Sequence, residues 1–349
     1  MKMTIRRLAD LAGVSRGTVD KVLHDRPGVS DEVREQVWRI IQEQGYQLPV
    51  RKKAEKKTRR RLRLVIVIPH LSNDFFQIMK HGMDDACALH RDANILVEYL
   101  YCNSENINEL MYLLQYIATE HVDGILIRGS QSTRLRDRLN TFSERGIPVV
   151  LFDSDVHGCR KLCFVGENSK ASGRVAASLL AKSIGEKGDV AIIGGVSEMR
   201  NNQLRIQGFQ DVMHERFPNI HIVKVVNCYD QSAIAYEETD KLLQQYPKLR
   251  GIFSVVGCTA DIGQVLIDRN MKTVKMVSYN ITSDIVALVK RGIVTFTIGL
   301  EPYQQGVVAV NTMLTYLLEG KKPQSEFVEM PLLIGIDENI DMLLQNQQR

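Results

Sequence analysis

Two stretches of this 349-residue sequence hold side chains that could do chemistry. The first is Asn73-Asp74-Phe75-Phe76, just after the apolar run 62–69. Either the two rings belong to a core, or they form a stacking wall for a sugar ring beside an amide that bonds hydroxyls. Asp153 closes a second apolar run, 147–153. A carboxylate there can accept two hydroxyl groups; otherwise it caps a helix or ties two lobes together. The second stretch, 49–63, carries nine Lys and Arg against the single acid Glu55. Residues 1–63 hold 17 basic and 8 acidic side chains, whereas the remainder holds 28 and 33. One end of the chain is therefore suited to a polyanion and the rest is not.

Catalytic signatures are missing. There is no G-x-G-x-x-G, G-x-x-x-x-G-K-[ST], G-x-S-x-G or H-E-x-x-H, and Gly194-Gly195 after a strand-like run lacks the further glycines a nucleotide loop needs. The eight histidines and six cysteines are scattered. Cys159 and Cys163 lie at a spacing a metal could use, but no second Cys or His pair accompanies them. No enzyme activity, metal or cofactor is expected. The start, MKMTIRRLADLAGVS, has no apolar signal segment, and no run reaches about 18 apolar residues, so a cytoplasmic, membrane-free protein with reduced thiols is expected.

The basic end must be positioned by helices. Thr4 precedes an apolar stripe of Ile5, Leu8, Ala9 and Ala12, which Gly13 ends. Ser15 starts a second helix with Val19, Val22 and Leu23 on one face, ended by Pro27-Gly28. Ser30 starts a third with Val33, Val37 and Ile40 or Ile41 inward, closed by Gly45. Ala9, Gly13 and Val19 meet in order the needs of a helix-turn-helix: a small residue at the crossing, a turn, and a branched residue packing the second helix on the first. A generic helical hairpin would look the same on spacing alone. The basic segment behind it favours DNA.

From residue 62 short Val/Ile/Leu runs alternate with helical patterns of 12–18 residues. The runs are 62–69, 95–102, 124–128, 147–153, 162–166, 190–194, 222–227, 251–256, 275–279 and 295–300. Continuous apolar runs of this kind predict parallel strands covered on both faces. Ten exceed one comfortable sheet, so two doubly wound α/β lobes of similar size are expected after a small all-α domain. The expected boundaries are 1–48 for the helical headpiece, 49–61 for a basic linker and 62–349 for the two lobes. Lobe 1 would span about 62–158 and 282–296, and lobe 2 about 159–281 and 297–335. Ligands of such sheets bind beyond the carboxyl ends of the strands, here the cleft between lobes.

Residues 4–47, with AGVS, TV followed by VL, VS before the third helix and the closing GY, resemble the headpiece of the LacI/GalR family of bacterial regulators. The likeness runs on through two lobes that resemble the core shared with periplasmic sugar-binding proteins. It implies DNA contacts from Thr4, Ser15, Arg16, Gly17, Thr18, Lys21, His24, Lys52 and Lys53. By position Ser15 and Thr18 hold phosphates, and Arg16 and Gly17 occupy the base-reading places. Arg16 can grip guanine through two hydrogen bonds. Gly17 has nothing to read with, so specificity shifts to Arg16, Lys21 and His24. Asp20 either accepts from cytosine or pairs with Arg16 or His24. Glu55 stands where the family has a leucine that wedges into the minor groove, which a carboxylate cannot do. The linker is instead expected to track phosphates, with steep salt dependence.

In the cleft the resemblance implies ligand contacts from Asn73, Phe75, Phe76, Asp153, Arg205 of an R-x-x-G-F pattern, and Asn280. The family has aspartate where Asn280 stands, Asn-Asp where Gly257-Cys258 stands, glutamine at Leu300 and arginine at Ser154. These departures make the pocket less polar than a pentose site. A sugar, sugar alcohol or related polyol is expected, with an anionic variant held by Arg205. The tail, IDENIDMLLQNQQR, is too short for a tetramerising bundle. A homodimer on a near-palindromic operator is expected, most simply a repressor, the effector altering DNA affinity. The alternatives are a periplasmic-type solute carrier or an α/β enzyme.

Overall fold

In a computed structural model the described residues are 4–23, 26–44, 61–70, 74–103, 106–195 and 199–347. The chain divides into Met1–Arg59 and Arg60–Arg349. The first unit holds α1 (Ile5–Ala12), α2 (Arg16–Leu23) and α3 (Asp31–Glu43). Thr4 Oγ1 accepts from the Arg7 amide, and Gly13 ends α1 in the left-handed region at φ 62°. Ser15 Oγ accepts from the Thr18 amide at 3.1 Å, capping α2. Ser30 occupies the N-cap of α3, but its hydroxyl makes no capping bond, contrary to expectation. Leu8, Ala9, Ala12, Val19, Val22, Leu23, Val37 and Ile41 form one buried cluster. The closing Gly45 lies outside the described residues.

The second unit runs β1 (Leu62–Pro69), α4 (Asp74–Leu89), β2 (Ile95–Cys102), α5 (Ile107–Thr119), β3 (Gly124–Arg128), α6 (Thr133–Glu144), β4 (Val149–Phe152) and β5 (Cys163–Glu167). It continues α7 (Ser169–Ser183), β6 (Gly188–Gly194), α8 (Arg200–Arg216), β7 (Ile220–Asn227), α9 (Ser232–Gln245), β8 (Leu249–Ser254), α10 (Thr259–Asp268) and β9 (Lys275–Tyr279). Last come α11 (Ser283–Lys290), β10 (Phe296–Gly299), α12 (Pro302–Glu319), β11 (Phe327–Met330), β12 (Leu333–Gly335) and α13 (Ile340–Gln347). All ten expected runs are strands, with ends moved by a few residues. The last two strands, four and three residues long, carry no comparable apolar run.

Two six-stranded sheets result, ordered β2-β1-β3-β4-β5-β11 and β7-β6-β8-β9-β10-β12. Every pairing is parallel except β10 with β12. In each sheet the strand order reverses at the first strand, which places the ligand crevice at the carboxyl edge. The expected lobe boundaries need correction. Hydrogen bonding puts β5 and β11 in the first sheet and β10 in the second, and α11 packs on α10, β10 and α13 of the second lobe. Helix α12 returns to pack on α4 and the first sheet. The chain therefore crosses between lobes three times, near residues 168, 300–301 and 331–332, not twice near 155–162 and 281–296. The error came from reading sequence order as lobe order while overlooking β11 and β12.

Each lobe packs two helices at close approach, α4 with α12 in the first and α7 with α8 in the second. A Cβ on Gly173 of α7 would lie 2.0 Å from the Arg205 carbonyl, and one on Gly208 of α8 would lie 2.1 Å from the Lys170 carbonyl. The two helix backbones touch through this reciprocal notch. Phe209, next to Gly208, is fully buried and stacks on Phe253 at 4.4 Å. The R-x-x-G-F pattern thus reads as a packing device: glycine for close approach, phenylalanine as anchor, and Arg205 one turn earlier. Among the described residues no helix is long and apolar enough to cross a membrane.

Candidate nucleic-acid interface and effector cleft

On α2 the apolar face is spent on the headpiece core, leaving Ser15, Arg16, Gly17 and Lys21 exposed and Thr18 half-buried on the other side. Ser15 Oγ and Thr18 Oγ1 lie 2.9 Å apart in a mutual hydrogen bond. That bond uses one of their two hydroxyl protons, and the other can meet a phosphate oxygen. Thr4 is exposed and spends its oxygen on the α1 cap. Asp20 is approached by Arg26 at 3.5 Å, a partner the sequence reading did not consider. His24, Lys52 and Lys53, and with them Glu55 of the linker, lie outside the described residues.

In the second unit a cavity of about 500 Å³ opens between the lobes. Phe75, Phe76, Asp153, Arg205 and Asn280 all line it, so the expected site residues converge; Asn73 lies outside the described residues. Phe75 and Phe76 are mostly buried and meet edge to face at 5.1 Å. They are core and cavity wall at once, so the two readings of these rings are not exclusive. Asp153 ends β4 with φ 60°, and Asn280 ends β9 with φ 72°. Both residue types tolerate this left-handed turn, which swings their side chains off the strand ends.

The chief residues missed by the sequence reading are Arg128, Asn201, Asn202, Asp230 and Tyr279, all of which line the cavity. Arg128, the last residue of β3, donates from Nε to Asp153 at 2.6 Å and lies 5.2 Å over the Phe76 ring. It supplies from a neighbouring strand the arginine that Ser154 does not. Asp153 is therefore a paired carboxylate with lone pairs to spare, not an isolated one. A strand ending in a charged residue, GILIR, was the available signal. Asp230 anchors the wall loop by accepting from the Gly257 amide at 2.7 Å.

Arg205 is almost fully buried and reaches from α8 to Glu167 at the end of β5. The two residues belong to different lobes, so this ion pair crosses the hinge. The guanidinium also lies 4.0 Å over Tyr279 and donates to Asn202 at 3.2 Å. Burial opposes the Arg205 charge, but Glu167, with Tyr279 and Asp153, outweighs it and holds the pKa above the ordinary arginine value. Burial likewise pushes the Tyr279 phenol up, leaving a neutral hydroxyl bonded to Ser172 at 2.8 Å. Both cations that line the cavity are thus engaged, Arg128 by Asp153 and Arg205 by Glu167 behind it, and Asp230 adds a further carboxylate to the wall. Asn280 Oδ1 is buried without a hydrogen-bond partner beside the cavity, poised for a donor.

Residues 4–48 match the family described as bacterial regulatory proteins, lacI family, and residues 64–322 match the periplasmic binding protein domain. The chain is 27% identical over 342 residues to the HTH-type transcriptional regulator RegA of Clostridium saccharobutylicum, covering 94% of this chain and 96% of that one. It is 27% identical over 282 residues to the D-ribose/D-allose-binding protein of Pseudomonas aeruginosa, covering 77% and 87%. A putative LacI transcriptional regulator from Bacteroides fragilis superposes with a TM-score of 0.74 at 22% identity, over 81% of this chain and 99% of that one. A helix-turn-helix with an exposed recognition face, joined to two lobes around a polar cleft, fits these matches end to end: the chain belongs to the lacI family of bacterial regulatory proteins, with a periplasmic binding protein domain as its sensor.

Proposed function

We propose that this regulator grips a near-palindromic operator as a homodimer and that a neutral sugar or polyol in its cleft changes its DNA affinity. The observation that carries the effector class is that both arginines lining the cavity are already paired with carboxylates. An anion would have to compete with Glu167 for Arg205, which speaks against the phosphate or carboxylate variant. A polyol fits better: aromatic edges pack its carbon face, while Asp153, Arg128 and Asn280 offer acceptors and donors to its hydroxyls. The relative named for D-ribose and D-allose is consistent with this class.

Ser15 and Thr18 fix register on phosphates, and Arg16 and Lys21 read base edges. Two headpieces in successive major grooves require two-fold symmetry. The effector controls DNA binding only through its different affinity for the open and closed cleft. Closing the cleft must move β5 and Glu167 relative to α8 and Arg205, so their ion pair is the contact that senses closure.

The test is a thermal-shift screen of the purified protein against neutral sugars, polyols and sugar phosphates, repeated with Asp153→Asn. Asparagine tolerates the left-handed backbone, so the variant removes charge without adding strain. A neutral ligand should raise Tm by mass action and lose that effect in the variant. A response confined to sugar phosphates, or one undiminished in the variant, would discard the neutral-polyol site. A sedimentation mass of a tetramer would discard the dimer.

A further inference from the structure

We infer that Cys228 and Cys258 form an oxidisable thiol pair in the wall of the effector cleft, closing to a disulfide when a peroxide-class oxidant enters the cavity. Their sulfurs lie 3.6 Å apart and share a hydrogen bond. Cys228 directly follows β7 and Cys258 directly precedes α10, so two loops at the carboxyl edge of the second sheet bring them together. The chain arrives there by the very substitution, Gly257-Cys258, that departs from the family pattern.

Access and chemistry are divided between the two. Cys258 is half-buried and lines the cavity; Cys228 is fully buried, its Sγ also 3.4 Å from the Gly194 carbonyl. The cavity delivers the oxidant to Cys258, and Cys228 stands behind it as the resolving thiol. Either thiol can donate in the hydrogen bond that joins them, so a proton can pass between the two sulfurs before the outer one reacts.

In the first step the Cys258 sulfur, having passed its proton to the solvent, attacks one peroxide oxygen. The O–O bond breaks, leaving a sulfenic acid and a hydroxide that takes up the proton as water. The Cys228 sulfur then attacks the sulfenic sulfur and gives up its proton; the S–S bond forms, the S–O bond breaks, and the hydroxide released takes that proton as water. Two thiols and one peroxide give one disulfide and two waters. The link ties the two loops together and withdraws the Cys258 sulfur from the wall the effector meets. The other four cysteines have no such neighbour: each is held as a neutral thiol by burial, its pKa pushed up to about 11 or 12.

The experiment treats the reduced full-length protein with hydrogen peroxide, counts thiols after denaturation and maps disulfide-linked peptides by mass spectrometry. The count should fall from six to four, with one linked pair containing Cys228 and Cys258, restored by dithiothreitol. Cys258→Ala should abolish the linked pair and leave its remaining five thiols essentially untouched over the same exposure. Six surviving thiols, oxygen addition without a linked pair, or a link through any other cysteine would each overturn the inference. Because the mapping is done on the unaltered chain, it decides the question whether or not a variant folds.

Discussion

The two lobes share a strand order and a glycine-notched helix pair, yet they place their charges differently. Lobe 1 keeps its ion pair to itself: Arg128 and Asp153 end adjacent strands, sit beside Phe76 and face the cavity. Lobe 2 sends Arg205 out, over Tyr279, to a carboxylate of lobe 1. One pair is a wall and the other is a strut. The same chemistry, arginine on carboxylate beside an aromatic ring, does different work because Asp153 borders the cavity with its arginine, whereas Glu167 is buried behind Arg205. A carboxylate that cavity water can reach tolerates the loss of its partner, whereas a buried one is costly to strand because the surviving charge is cut off from water.

The largest effect should therefore follow Arg205→Ala. It strands Glu167, which is 3% exposed and already has one oxygen without a hydrogen-bond partner. Breaking a buried pair this way costs about 3–5 kcal/mol, read as a drop in Tm of roughly 10 °C for a unit of this size. A drop of only a degree or two would mean that water reaches Glu167 once its partner is gone. Next comes Gly208→Ala. Its new Cβ would sit 2.1 Å from the Lys170 carbonyl, so α8 must back away from α7 and carry Arg205 with it. Overpacking of this kind costs about 1–3 kcal/mol. If Gly208→Ala left stability unchanged, the notch would not be what positions the strut.

Much of this was legible before any coordinates. Asp153, and Phe75 and Phe76 just past β1, follow from one rule, that polar or aromatic residues beyond the carboxyl ends of parallel strands face a ligand, whereas Asn280 follows from the resemblance. Arg128 obeys the same rule, but the resemblance places the arginine after Asp153 instead, at Ser154 in this chain. The partner of Arg205 was not legible at all. Glu167 is 38 residues away in sequence and in the other lobe, and only the crossing at residue 168 brings the two together. The lobe boundaries failed for a related reason: strands of three and four residues at the sheet edges give too little apolar periodicity to register. Cys228 and Cys258 are 30 residues apart and looked scattered; no one-dimensional spacing rule pairs loops from two neighbouring strand ends.

The lobes also differ in their thiols, and alkaline pH should expose it. Cys87, Cys102, Cys159 and Cys163 all lie in lobe 1, their pKa values raised from 9.0 to about 11, and to about 12 for Cys163, mainly by burial. A raised thiol binds its proton more tightly in the folded chain. Its contribution is full below pH 9, the unfolded value, and is lost as pH rises to the folded one near 11 or 12. Tm should therefore fall between pH 9 and 11, and the fall should be shallower in Cys163→Ala, by at most about 1.4 kcal/mol per pH unit. An unchanged slope would place the alkaline weakness outside that thiol.

The smallest change in stability should come from Arg128→Ala, and there the contrast between wall and strut is sharpest. The variant leaves Asp153 without its guanidinium partner, but the carboxylate borders a cavity of about 500 Å³ where water can hydrate it. The lost hydrogen bond to a charged group is worth about 1.5–3 kcal/mol, and rehydration should return part of that. Tm should accordingly drop by only a few degrees. On the proposed function ligand binding should suffer more, because Arg128 holds Asp153 in place and faces the proposed effector; a loss of about tenfold or more in affinity corresponds to 1.4 kcal/mol or more. The pattern to look for in calorimetry and thermal melts is a crossed one: Arg205→Ala fails in stability, and Arg128→Ala stays folded but fails in binding. If both variants lost stability to the same degree, the two pairs would be equivalent struts, and the assignment of the cleft wall to lobe 1 would have to be abandoned.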